Sequence, residues 1–98
     1  EITSVSFVSE TPLDFEKFQK WFGTLLQTRG QDILRSKGIL DFEGRDDRYV
    51  FQGVHMLMDG APMGLWPADK PRNSRVVFIG RGVENMDLEK GFEACKAA

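Results

Sequence analysis

His55 is the only imidazole in the chain and Cys95 the only thiol, so groups suited to proton transfer, nucleophilic attack or metal ligation are scarce. A hydrolytic centre needs a base held against a nucleophile. Cys95 falls on the apolar stripe of a C-terminal helical pattern, where a thiol is a packing group rather than a reactive one. Zinc requires several His, Cys or carboxylate groups converging. His55 could serve such a site only with a nearby carboxylate or a partner's thiolates, and otherwise packs or hydrogen-bonds on a sheet. The adjacent Asp46 and Asp47 lie in a polar turn, where solvation and turn hydrogen bonds account for them. Neither 60–64 nor Gly80-Arg81-Gly82 carries the Lys-Ser/Thr pair or the strand-to-helix glycine pattern of a phosphate loop. The expectation is a chain with no catalytic residue, no cofactor site and no metal site, His55 being the one residue that could challenge the last.

The remaining chemistry is that of surfaces. Residues 49–58 read as one strand with Tyr49, Phe51, His55 and Leu57 on one face and Val50, Gln52, Val54, Met56 and Met58 on the other, because side chains alternate along a strand. Neither face suits water. Strands that are apolar on both sides are normally covered on both sides, yet the rest of the chain supplies only two convincing helices, enough for one side. A bare side is therefore expected to press against a larger partner. Arg35, Lys37, Phe51, Gln52, His55, Trp66 and Arg75 are the candidate interface residues. Trp66 and Met63 read equally as a partner-binding patch or as a lid over the sheet's edge.

The elements that would position these residues follow from periodicity. Residues 2–9 alternate small polar and apolar groups as a strand with Val5 and Phe7 inward. Asp14 as N-cap, or Thr11 with Pro12 behind it, starts a helix. Its stripe is Phe15, Phe18, Phe22, Leu25 and Leu26, bordered by Trp21, and Gly30 can end it. Residues 31–35 read as an extra turn and 37–43 as the second strand. The polar link at 44–47 makes strands two and three an antiparallel hairpin. Residues 59–74, interrupted by Gly60, Pro62, Gly64, Pro67 and Pro71, read as a loop that binds or covers something. A fourth strand at 75–81 precedes a helix capped by Asp87, with Leu88, Gly91, Phe92 and Cys95 on one face. The expected fold is α+β: a two-layer sandwich in the order β-α-β-β-β-α, with a four-stranded, mainly antiparallel sheet and two helices on one face.

The chain has 98 residues and a formal net charge of −2 from 13 basic and 15 acidic side chains, at 41% hydrophobic and 29% charged residues. That length suits one domain over 1–98, and the composition suits a packed core. Charges of both signs are interspersed, so the basic stripe of a nucleic-acid binder is missing. No apolar run nears the ~20 residues needed to cross a bilayer. A lone cysteine agrees with a reducing, cytoplasmic setting. The first residue is Glu1 and a strand begins almost at once, which reads as a piece cut from a longer chain.

The string Ile-Leu-Arg-Ser-Lys-Gly-Ile-Leu at 33–40, Phe-Gln-Gly-Val-His at 51–55 and Ser-Arg-Val-Val-Phe-Ile-Gly at 74–80 resembles the C-terminal domain of CobW-type GTPases. The likeness runs from Ser4-Val5-Ser6-Phe7 through Pro12-Leu13-Asp14 to Gly91-Phe92-Glu93-Ala94, with Arg35, Lys37, Gly38, Gln52, Val54, His55, Arg75 and Gly80 in the matching blocks. The resemblance implies a parent with an N-terminal GTPase domain that uses GTP and Mg and carries a Cys-rich metal motif, and that delivers zinc or the cobalt of cobalamin synthesis. It implies for these 98 residues a non-catalytic regulatory or client-recognition module, with the GTPase domain and a metal-receiving client as partners. The alternative is an independent small-molecule or metal-binding α+β domain using His55 near a pocket under the 59–74 loop. Self-association of the fragment through the bare face is a third outcome.

Overall fold

A computed structural model describes residues 1–97. Five antiparallel strands form one sheet in the order β1-β5-β2-β3-β4. They are β1 (Ile2–Ser9), β2 (Ile33–Leu40), β3 (Asp47–Val54), β4 (Leu57–Leu65) and β5 (Ser74–Arg81), with helices α1 (Phe15–Arg29) and α2 (Leu88–Glu93) and a 3-10 turn at Val83–Asn85. The α+β class and the two helices stand as expected. The four-strand count does not.

The difference arises at His55. A single strand over 49–58 was the expectation; instead β3 stops at Val54, His55 takes a positive φ of 56°, and Leu57 pairs back on Val54. Histidine is among the few non-glycine residues that enter this left-handed region with any frequency, so a two-residue hairpin forms without the Asn-Gly or Asp-Gly that usually announces one. The His55 amide donates to Leu34 O at 3.1 Å, tying the tip to β2. The first seven residues of the expected 59–74 loop, up to Leu65, are thereby part of an edge strand. No loop arches over a pocket beside His55, and Leu57 and Met58 exchange the faces first assigned to them.

β2 also begins earlier than the expected 37, because Ile33 pairs with Gly80 before a register shift reaches Arg35. Arg81 N–H donates to Asp32 O at 2.8 Å, which extends that pairing into the residues read as a turn. The β2–β3 hairpin is as read, with Arg35 opposite Val54 and Leu40 opposite Tyr49.

α1 is capped as its sequence dictates: the Lys17 amide donates to Asp14 Oδ2 at 2.9 Å. Phe18, Phe22 and Leu25 are its buried residues. Phe22 meets Phe51 edge-on at 5.3 Å between ring centroids and Phe78 at 6.1 Å. Phe18, Phe22, Phe42, Phe51, Phe78 and Phe92 are each no more than 1% exposed, and each such ring contributes roughly 1.5–3 kcal/mol of burial. α2 is only six residues long. Asp87 precedes it in a left-handed conformation and makes no side-chain cap, contrary to expectation. Phe92 of α2 stacks on Phe7 of β1 at 6.1 Å. A Cβ on Gly91 would lie 2.0 Å from Trp21 Nε1, so glycine is what lets α1 and α2 approach.

The segment before α1 closes the layer. Leu13 N–H donates to Asp41 O and Asp14 N–H to Cys95 O, both at 2.8 Å. Both helices lie on one side of the sheet.

Candidate docking face

The side of the sheet away from the helices is uncovered. Pairing partners share a face, so the register defines three rows across the strands. The first is Ser4, Ile79, Arg35, Val54 and Leu57; the second is Ser6, Val77, Lys37, Gln52 and Asp59; the third is Val8, Arg75, Ile39, Val50 and Ala61. Aliphatic and cationic side chains alternate across each β2–β5 pair. Leu57 is 78% exposed, Val8 53% and Val54 52%, while Ile39, Val50, Val77 and Ile79 are half-buried. Two adjoining shallow depressions lie here, one lined by Arg35, Lys37, Gln52, Val54, Val77 and Ile79, the other by Ile39, Val50 and Arg75 with Lys37 and Gln52 shared.

The charges on this face are little used within the chain. Arg81 Nε stands 3.6 Å from Asp32 Oδ1, and Arg75 Nε donates to Asn73 Oδ1 at 3.2 Å. Arg35 and Lys37 have no ion-pair partner among the described residues. Strand alternation adds Arg48, whose guanidinium donates to Met63 O at 2.7 Å. Asp59, opposite Gln52, adds a carboxylate to the one that Asp32 brings to Arg81.

Of the seven candidate interface residues, the structure gathers Arg35, Lys37, Gln52 and Arg75 on this surface. Phe51 is excluded from it: the neighbour of Gln52 points into the helix layer and is buried. His55 sits exposed at the hairpin tip. Trp66 lies past the other end of β4, half-buried, its amide donating to Asp46 O at 3.0 Å and its indole N–H buried with no partner. It is not part of the three rows. Val54, Leu57, Val77 and Ile79 were not singled out as interface residues. The signal for the last two was the alternation in Arg-Val-Val-Phe-Ile-Gly-Arg at 75–81, which places Arg75, Val77, Ile79 and Arg81 on one face.

Chemistry is sparse elsewhere. Among the described residues no group of three or more His, Cys, Asp or Glu side chains could hold a metal ion. Cys95 is buried, donates from Sγ to Gly91 O at 3.3 Å, and burial pushes its thiol up to about 11. Burial likewise raises the Asp41 carboxyl, against the pull of Arg72. The Thr3 hydroxyl bonds the Glu84 carboxylate and lowers its pKa. Among the described residues no helix is long and apolar enough to cross a membrane.

Fold and surface together define an open-faced α+β module whose prominent feature is an uncovered sheet face of mixed aliphatic and cationic side chains. Residues 2–96 match the family described as Cobalamin synthesis protein cobW C-terminal domain, and the chain belongs to that family. It is 29% identical over 92 residues to the zinc chaperone YjiA of Escherichia coli (strain K12), a match spanning 94% of this chain and 29% of that protein. Two crystal structures, of Zn(II)-bound E. coli YjiA GTPase and of a Zn(II)-bound triple mutant of YjiA GTPase, superpose with a TM-score of 0.91 at 27% identity, covering 98% of this chain and 30% of theirs. The chain thus spans under a third of the length of these relatives.

Proposed function

We propose that these residues form the non-catalytic regulatory or client-recognition module of a CobW-like GTPase that delivers a metal, zinc or cobalt. The open side of the sheet seats the N-terminal GTPase domain of the same parent chain, which binds GTP with Mg and carries the metal. The module responds to the nucleotide state of its neighbour and presents a surface to the metal-receiving client. A cytoplasmic setting agrees with the lone, unoxidised cysteine.

The observation that carries this reading is the uncovered face. Five strands about 4.8 Å apart and about eight residues long make a surface of roughly 600 Å², within the range of interfaces between domains of one chain. Its half-buried Ile39, Val50, Val77 and Ile79 are what a docked neighbour would shield from water. Coupling requires contacts that differ between two states of the neighbour, and a surface distinct from the chain's own core can supply them without altering the fold.

The test is the parent chain carrying Val77→Asp or Ile79→Asp, each a charge placed in the apolar bed. GTP hydrolysis and metal transfer should lose their dependence on one another while the module stays folded by circular dichroism. Unchanged coupling in both variants would remove the reading. Self-association of the isolated chain through the same face is the competing outcome, visible as a concentration-dependent mass that the same variants abolish.

A further inference from the structure

We infer that the surface seated on the open face is an acidic polypeptide surface with an apolar centre. Its carboxylates would meet Arg35, Lys37 and Arg75, and its aliphatic side chains would lie over Val54, Val77 and Ile79. The inference rests on the docking reading above and adds the chemistry of the occupant.

The charge distribution carries it. The chain as a whole is net negative, at −2, yet the open face bears Arg35, Lys37, Arg48 and Arg75 against Asp59, besides Arg81, which Asp32 already pairs. Acidic side chains are therefore concentrated elsewhere, and the cations sit where no helix of the chain can reach them. Arg35 and Lys37 are two residues apart on one strand and project to the same side. Like charges so placed repel. Neither has an ion-pair partner among the described residues, so an incoming carboxylate relieves the repulsion as well as forming a new pair. Gln52, directly opposite Lys37, offers a donor and an acceptor and suits a side chain or backbone amide of a polypeptide.

The floor decides between a polypeptide and a phosphate. A phosphate site gathers backbone N–H groups at a helix start or glycine-rich turn. Here the backbone amides of β2, β3 and β5 are engaged in strand pairing, and the depressions are floored by Ile39, Val50, Val54, Val77 and Ile79. Cations rimming an aliphatic bed match a protein interface with an apolar middle and a charged border.

Amine labelling of Lys37 in the full parent chain tests this, with exposed Lys20 of α1 and Lys70 as internal references. Lys37 should react at least tenfold more slowly than Lys20. Arg35→Glu, Arg75→Glu or 1 M NaCl should each restore most of its rate, whereas Lys70→Glu should leave it slow. If Lys37 reacts as fast as Lys20, docking itself fails and the inference with it. If Lys37 is protected but indifferent to both reversals and to salt, docking stands and the acidic occupant is wrong. If millimolar inorganic phosphate alone protects Lys37 in the 98-residue chain, the occupant is a phosphate and the choice of a polypeptide is overturned.

Discussion

Val54 and Leu57 stand opposite each other across the His55-Met56 link, on the side of the sheet that no helix covers. They are 52% and 78% exposed. Two aliphatic side chains beyond the helix layer contribute little to the fold, so their use lies in what they touch. They extend the apolar bed of Val77 and Ile79 to one corner of the open face.

Leu57→Ser and Val54→Ser should change the unfolding free energy of the chain by no more than about 0.5 kcal/mol, as for surface positions generally. In the parent chain they should weaken contact between module and GTPase domain, read as faster labelling of Lys37. A loss above 2 kcal/mol in urea unfolding would mean that the tip is structural.

His55 is expected to matter for the turn and not for zinc. Its φ of 56° makes His55→Val costly by about 1–2 kcal/mol, whereas His55→Gly should be tolerated; thermal unfolding separates the two. Isothermal titration of Zn(II) into the chain should give no tight one-to-one binding, and His55→Ala should leave that trace unchanged. Stoichiometric binding abolished by His55→Ala would revive the metal-site alternative.

Gly91→Ala forces a methyl group against the Trp21 indole, with 2.0 Å available. Separation of α1 from α2 should cost about 1–3 kcal/mol, as overpacking commonly does. Trp21→Leu in the same chain should recover part of that loss, because the indole nitrogen that blocks the methyl group is then absent. Additive losses in the double variant, measured by urea unfolding, would contradict the steric account.

Asp41 should make stability depend on pH in the direction opposite to a paired carboxylate. Its carboxyl is raised above the ordinary 3.8, mainly by burial, so folding favours the protonated form. That contribution is complete below the unfolded value and is lost as pH rises through the folded one. Asp41→Asn, neutral throughout, should therefore be more stable than the parent sequence at pH 7, and the advantage should shrink as pH falls through the raised folded value towards the ordinary 3.8. An advantage that grows on acidification would reverse the sign of the argument.

Cys95 should stay unmodified by iodoacetamide at pH 8 while the chain is folded, since its thiol is buried and pushed up to about 11. Addition of urea past the unfolding midpoint should expose it to full labelling. Rapid labelling of the native chain would show that α2 opens readily.

The legible parts of this fold are those where one local rule dominates. α1 announces itself by Asp14 and the stripe Phe18, Phe22, Leu25; β1 and β5 by their alternation; the β2–β3 link by its polar residues. β4 was hidden because its turn is made by His55 and its body contains Gly60, Pro62 and Gly64. On an edge strand, where one row of backbone groups is unpaired anyway, proline and glycine are tolerated. The same residues in a central strand would have broken the ladder, which is why 59–74 read as a loop. Phe51 and Gln52 are neighbours with opposite fates, one in the core and one on the open face.

The amino-acid order alone determined that the strands have two apolar-rich faces and that two helices could cover only one, since both conclusions need just the period of the side chains and the number of amphipathic segments. Which face the helices would take, and which cations would then be stranded together, was decided by tertiary pairing. β5 inserts between β1 and β2, so Arg75, distant along the chain from Arg35 and Lys37, becomes their neighbour only when the β2–β5 register is set.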